Sequence, residues 1–145
     1  MDVVGFLNTI TGNNLLFWKV VAATVVFALA GVQVLLAARL WKASTFPPIS
    51  EEGASAAHRW IGRATLFLAI AVAVSCIAGP AGPLSPARVL FHSVFGTTVL
   101  VVIAAKFTIL RVLRKGYNLL PYVGVALFLC FGALWATSVA DYVSR

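Results

Sequence analysis

Four apolar runs, each long enough to cross a lipid bilayer and each closed by residues that could not lie in one, constrain this chain more than any motif does. They fall at roughly 15 to 40, 58 to 79, 87 to 112 and 119 to 142. A span needs about 20 apolar residues to cover roughly 30 Å of hydrocarbon. With 145 residues, 61% of them hydrophobic and only 10% charged, the chain holds four spans and short connections, with no room for a soluble domain. The expected fold is therefore all-α: a polytopic, up-down bundle of four transmembrane helices forming a single domain over residues 1–145.

The connections support that reading. Ser44-Thr45-Phe46-Pro47-Pro48-Ile49-Ser50-Glu51-Glu52-Gly53 combines two prolines, two acids and a glycine, and reads as a solvated loop because irregular backbone facing lipid leaves its polar groups unsatisfied. Gly79, Pro80, Gly82, Pro83 and Pro86 make the second turn stiff, and Lys115, Gly116, Tyr117 and Asn118 make the third. Short links favour neighbouring antiparallel helices. Asn13 and Asn14 are placed to cap the first span. That span is expected to be retained rather than cleaved as a signal peptide, since Asp2 gives an acidic start and Arg39 and Lys42 close the run as a stop-transfer would.

Basic residues set the expected orientation. Arg39, Lys42, Arg59, Arg63, Lys106, Arg111, Arg114 and Lys115 fall at one end of the bundle, and Lys19, Arg88 and Arg145 at the other. The crowded end is expected to be cytoplasmic, so a multi-pass protein of the cell membrane would carry both termini outside. The formal charge of +7 would suggest nucleic acid in a soluble protein. Here it reads as cations beside anionic lipid, and no nucleic-acid partner is expected.

The candidate chemistry rests on two histidines. His58 opens the second run and His92 lies about one turn inside the third, and imidazoles within a membrane often serve haem, metal or proton chemistry. Because consecutive helices run in opposite directions, the two differ in depth by roughly 20 Å or more at about 1.5 Å per residue. They cannot clamp one haem within one chain. What stays open is a haem with His92 and a different second ligand, a haem shared between subunits, or no haem.

Around His92, residues 96, 99, 103 and 106 share a helix face, so Gly96 leaves space one turn from the imidazole for a flat macrocycle or a neighbouring helix. The competing reading makes Ser93, Gly96 and Thr97 a small-residue packing surface, with His92 hydrogen-bonded across the bundle. His58 stands in Ala57-His58-Arg59-Trp60-Ile61-Gly62-Arg63. Arg59 and Arg63 with it form a group that could hold a lipid phosphate, a haem propionate or a cytoplasmic partner; equally, they form an interfacial basic collar anchored by Trp60. Lys106 can snorkel to the interface or pair with a propionate.

Other polar positions are sparse. Asp2, Glu51, Glu52 and Asp141 are the only acids and none lies deep, which disfavours a carboxylate-based proton or drug antiporter. Gln33 is expected to hydrogen-bond another helix, and Lys19 and Asp141 are expected to meet. Cys76 and Cys130 form no Cys-x-x-Cys motif and lie at different depths, so both read as small packing residues rather than a redox pair. The Trp and Tyr residues, Trp135 among them, are expected mostly to mark the membrane interfaces.

The order Lys19 with Ala22-Ala23-Thr24, Gln33-Val34-Leu35, Ala57-His58-Arg59 with Gly62-Arg63, Arg88 with His92-Ser93 and Gly96, Ala105-Lys106, then Leu134-Trp135-Ala136-Thr137-Ser138 resembles an uncharacterised four-helix membrane family of actinobacteria. Its members are often encoded beside Rieske iron-sulfur proteins, and the family is loosely similar to b-type transmembrane cytochromes and ferric-reductase-like domains. The resemblance covers all four helices. It implies an integral membrane component of an electron-transfer, respiratory-type system, with haem b as the cofactor, a Rieske-type or other respiratory complex as partner, and His92 as the iron ligand. His58, Gly96, Arg59, Arg63 and Lys106 would complete the cofactor surroundings. The family carries a His-Cys pair at the end of its second helix, where this chain has Ser75-Cys76. That departure removes the expected second ligand and leaves a non-catalytic accessory or anchoring subunit as the alternative.

Overall fold

A computed structural model of the chain describes residues 3–78 and 86–143; the side chains at 3, 4, 7, 114, 115, 140 and 141 lie outside that description. Among the described residues the structure is helical and contains no strand. A short helix α1 (Val3–Ile10) precedes α2 (Leu15–Leu40), α3 (Glu51–Ala78), α4 (Pro86–Arg111), a 3₁₀ segment (Arg114–Leu119) and α5 (Leu120–Val143). Four helices are long and apolar enough to cross a membrane, and their windows have mean hydropathies of 2.0 to 2.4. They form a four-helix bundle, and the chain is a multi-pass membrane protein. The expected Gly79–Pro83 turn falls outside the described residues.

Two boundaries differ from the sequence expectation. The second span begins at Glu51 rather than near residue 58, because Ser50 caps it: its Oγ accepts from the Gly53 N–H at 3.1 Å, and its carbonyl accepts from the Ala54 N–H at 2.9 Å. Glu51 and Glu52 then sit on the first turn, where carboxylates complement the helix dipole. The acids that suggested a loop are therefore the start of a helix. At α2 the cap position is Asn14, but its side chain makes no capping hydrogen bond. Asn13, with φ 62°, belongs instead to the left-handed turn it forms with Gly12 between α1 and α2.

The helices do not pack in simple chain order. α2 packs against α3 and against α5, and α5 packs against α4, whereas α3 and α4, although joined by a short link, make at most marginal backbone approach. The spatial order is α3, α2, α5, α4. The expectation that short links make neighbours fails at this pair because the complementary surfaces lie elsewhere. Lipid tails are as apolar as the side chains, so helices associate through close packing and hydrogen bonds, and those features sit on the α3–α2–α5 surfaces.

The α2–α5 seam is antiparallel and in register. The rings of Phe17 and Tyr142 lie 6.4 Å apart, and Trp135 Nε1 donates to Thr24 Oγ1 at 3.0 Å. Phe27 stacks between Phe128 and Trp135, with both centroid distances 5.2 Å. Gly132 admits the Phe27 ring, since a Cβ there would stand 3.3 Å from Phe27 Cε2. Trp135 is thus not an interface marker. Its indole N–H is satisfied about nine residues into α2 by a hydroxyl whose own proton goes to the Val20 carbonyl at 2.8 Å, as an N–H surrounded by hydrocarbon requires. Between α2 and α3, Gln33 Nε2 donates to the His58 carbonyl at 2.9 Å, the interhelical hydrogen bond expected of that glutamine. A Cβ on Gly62 would lie 3.3 Å from Gln33 Oε1, so that glycine sets the closeness of the pair.

Candidate functional site

The residues singled out from sequence separate into two groups at opposite ends of the bundle. At the end where α2 begins and α5 finishes, His92 lies on α4 against Thr137 of α5, with Nδ1 to Oγ1 at 3.4 Å. Lys19 of α2 lies within electrostatic reach of both His92 and Cys76 of α3. At the basic end, Lys106 of α4 lies within electrostatic reach of His58 on α3, and Gln33 of α2 grips the His58 carbonyl. Arg59 and Arg63 are exposed beside His58, with the Arg63 guanidinium 4.8 Å from the centre of the Trp60 ring.

The α2–α5 register fixes how far apart the two imidazoles are. Thr137 is level with the neighbourhood of Ala22 on α2, and His58 is level with Gln33, a difference of about 11 residues or roughly 17 Å. Along α4, His92 and Lys106 are separated by about 14 residues, roughly 21 Å. His58, Arg59, Arg63 and Lys106 therefore do not converge on His92, and only Gly96 accompanies it from the set read from sequence.

The hydrogen bonds of Thr137 favour one His92 tautomer. The Thr137 hydroxyl has one proton, and its oxygen lies 3.0 Å from the Ala133 carbonyl and 2.9 Å from that of Leu134, one turn back on α5. That proton is donated along the helix, leaving the oxygen to accept from imidazole. Neutral His92 then carries its proton on Nδ1 and presents a bare Nε2, the form that binds metal. Nε2 has no hydrogen-bond partner among the described residues. The bond across the bundle anticipated for His92 exists, and it leaves ligation open.

Gly96 does not serve as a packing surface within the chain, because a Cβ there would meet nothing within 4 Å. The neighbouring face of α4, with Ser93, Val94, Thr97, Thr98 and Val101, forms a shallow open depression. Free Nε2 and open space at Gly96 suit attachment of a flat group by one imidazole. They do not supply a second one. Ser75, at the position where the resembled family has histidine, is buried and donates to the Val72 carbonyl at 2.7 Å. Among the described residues, no three of His, Cys, Asp and Glu gather to hold a metal ion.

Sequence reading missed the role of Thr137 and of Lys19 beside His92. Hydroxyls in apolar runs were the available signal for the first; for the second there was none, since nothing in the sequence pairs α2 with α4. Of the two cysteines, Cys130 is buried as expected of a packing residue, but Cys76 is exposed. The expected Lys19–Asp141 approach lies outside the described side chains, although the Phe17–Tyr142 contact brings the same two helix ends together.

No curated protein and no solved structure matches the chain. Over residues 3–145 it matches the family of unknown function DUF6529, and it belongs to that family.

Proposed function

We propose that this protein is an integral membrane component of an electron-transfer system, in which His92 holds a b-type haem from one side. The observation that carries this reading is the His92 ring itself: anchored through Nδ1 to Thr137, free at Nε2, and next to the open space at Gly96. A haem bound there would supply one-electron chemistry at its iron. The chain's own part is to hold the ring orientation through Thr137, to keep a cation near through Lys19, and to surround the site with apolar helix. Ser75, committed to its own helix, supports a site with His92 as its one protein imidazole. The gene-neighbourhood resemblance favours a Rieske-type or related respiratory complex as partner. The excess of Lys and Arg at the His58 end favours a cytoplasmic position for that end in the cell membrane, with both termini outside.

A second reading is an accessory or anchoring subunit without its own cofactor. It is favoured by α3 and α4 failing to close on each other and by the exposed Ser93 and Thr97 on α4, since small polar residues in spans commonly meet another helix.

Absorption spectra of the purified protein, oxidised and dithionite-reduced, separate the two. A Soret band with reduced b-type peaks, lost in His92→Ala and kept in His58→Ala, is the expected result. A colourless protein that co-purifies in fixed ratio with a respiratory assembly would replace it with the accessory reading.

A further inference from the structure

We propose that the basic end of the cleft between α3 and α4 is a binding site for a phosphate group, with Lys106 and His58 as its donors. Lys106 is half-buried on α4 and makes no hydrogen bond or ion pair among the described residues. Arg59 and Arg63 are exposed on α3 next to His58, and of the acids that begin α3, Glu51 approaches Lys42 rather than Lys106, at 3.9 Å on the exposed surface. An ammonium partly removed from water without a counter-charge is costly, and an anion between the helices removes that cost.

His58 points the same way. Its Nδ1 is buried and has no hydrogen-bond partner. Neither ring nitrogen has a partner among the described residues, so whichever carries the proton offers an unmet N–H within electrostatic reach of Lys106. Arg39, in the last turn of α2 at the same end, has a buried Nε with no partner while its Nη2 donates to the Ile49 carbonyl at 3.3 Å. Arg39 and His58 thus each bury a nitrogen with no partner at this end, beside the unpaired Lys106 cation.

Depth and access select the occupant. Lys106 lies about five residues from the end of α4, roughly 7.5 Å, a distance a lysine stem covers to reach the headgroup level. The backbones of α3 and α4 make at most marginal approach among the described residues, which suits entry of a group from the bilayer as well as from the aqueous face. A group attached at His92 is too far away to fill it. The chemistry is phosphate, from an anionic lipid headgroup or from the aqueous phase.

The test uses the full chain. In native mass spectrometry from an equimolar mixture of phosphatidylglycerol and phosphatidylcholine, the unaltered protein is expected to retain the anionic lipid with about fivefold preference, the value of one lysine near a membrane surface. Lys106→Gln should bring that preference close to unity. Lys106→Arg should keep it, and so should the Arg59→Gln/Arg63→Gln double variant in the main. A rise in melting temperature with inorganic phosphate, absent in Lys106→Gln, would identify the aqueous source instead. No lipid preference together with no phosphate shift in the unaltered protein overturns the proposal, with or without a folded variant. Loss of preference in the double arginine variant but not in Lys106→Gln overturns it as well.

Discussion

Truncating Phe27 tests the seam that holds this bundle together. Its ring is stacked between Phe128 and Trp135, each at 5.2 Å, over the gap left by Gly132. Each such pair contributes about 1 kcal/mol beyond area burial, so Phe27→Ala loses about 2 kcal/mol of ring contact. The vacated volume, roughly 100 Å³ at about 24 cal/mol per Å³, would add about 2.4 kcal/mol if fully enclosed, and about half of that for a half-buried ring. The usual transfer term is absent, because the ring leaves protein for hydrocarbon rather than for water. The expected loss is about 3 kcal/mol, a factor of roughly 100 or more in the unfolding equilibrium. Reversible unfolding in mixed micelles, followed by tryptophan fluorescence, measures it. Phe67→Ala, on a ring 75% exposed on α3, serves as the reference and should lose less than about 0.5 kcal/mol. Equal losses at the two positions would refute the reasoning, since lipid-facing and seam-facing rings would then be energetically alike.

Further outcomes follow from other contacts. Gln33→Leu removes the 2.9 Å bond to the His58 carbonyl and should cost about 0.6 to 1.7 kcal/mol in the same assay, the range found for hydrogen bonds between spans; an unchanged equilibrium would mean that the bond contributes nothing. Lys42 ends α2 with φ 57°, and the Ala43 N–H closes back on the Ala38 carbonyl at 2.9 Å. Lys42→Gly should therefore stabilise by about 1 kcal/mol by relieving the left-handed strain, with little offset from the exposed Glu51 pair, and a loss of stability would contradict it. For threading, Asn14→Cys and Thr45→Cys, in a background lacking Cys76 and Cys130, should react with a membrane-impermeant maleimide from opposite faces of sealed vesicles; labelling from one face alone rejects the arrangement. On the proposed haem reading, Thr137→Val, which takes away the oxygen facing His92 Nδ1, should weaken haem retention by about tenfold or more, read from Soret absorbance during competition with apomyoglobin.

The helices themselves were legible because lipid judges each segment separately. Length, apolarity and charged ends are properties of one run of residues, so α2 matches its expected bounds at Leu15–Leu40; antiparallel threading alone puts the imidazoles at different depths, and the helix register makes that difference roughly 17 Å rather than the about 20 Å or more expected. The start of α3 was misplaced where two local signals competed: Glu51, Glu52 and Gly53 read as loop composition, but Ser50 followed by acids is also a helix start, and the capping bonds decide for the helix. The eight-residue α1 lay beneath the length at which periodicity speaks. At the candidate site, sequence supplied His92, Gly96 and their separation from the basic end that holds Lys106, but not Thr137 or the approach of Lys19.

What only the tertiary structure decided is which helix meets which. The spatial order α3, α2, α5, α4 depends on matches such as Gly132 with Phe27, Gly31 with Phe128 and Gly62 with Gln33, where a gap on one helix is filled by a side chain from another. The bilayer rewards apolarity on every outward face equally, so nothing within a single segment says which face will find its complement. Complementarity belongs to two surfaces at once, and it exists only when both are in place.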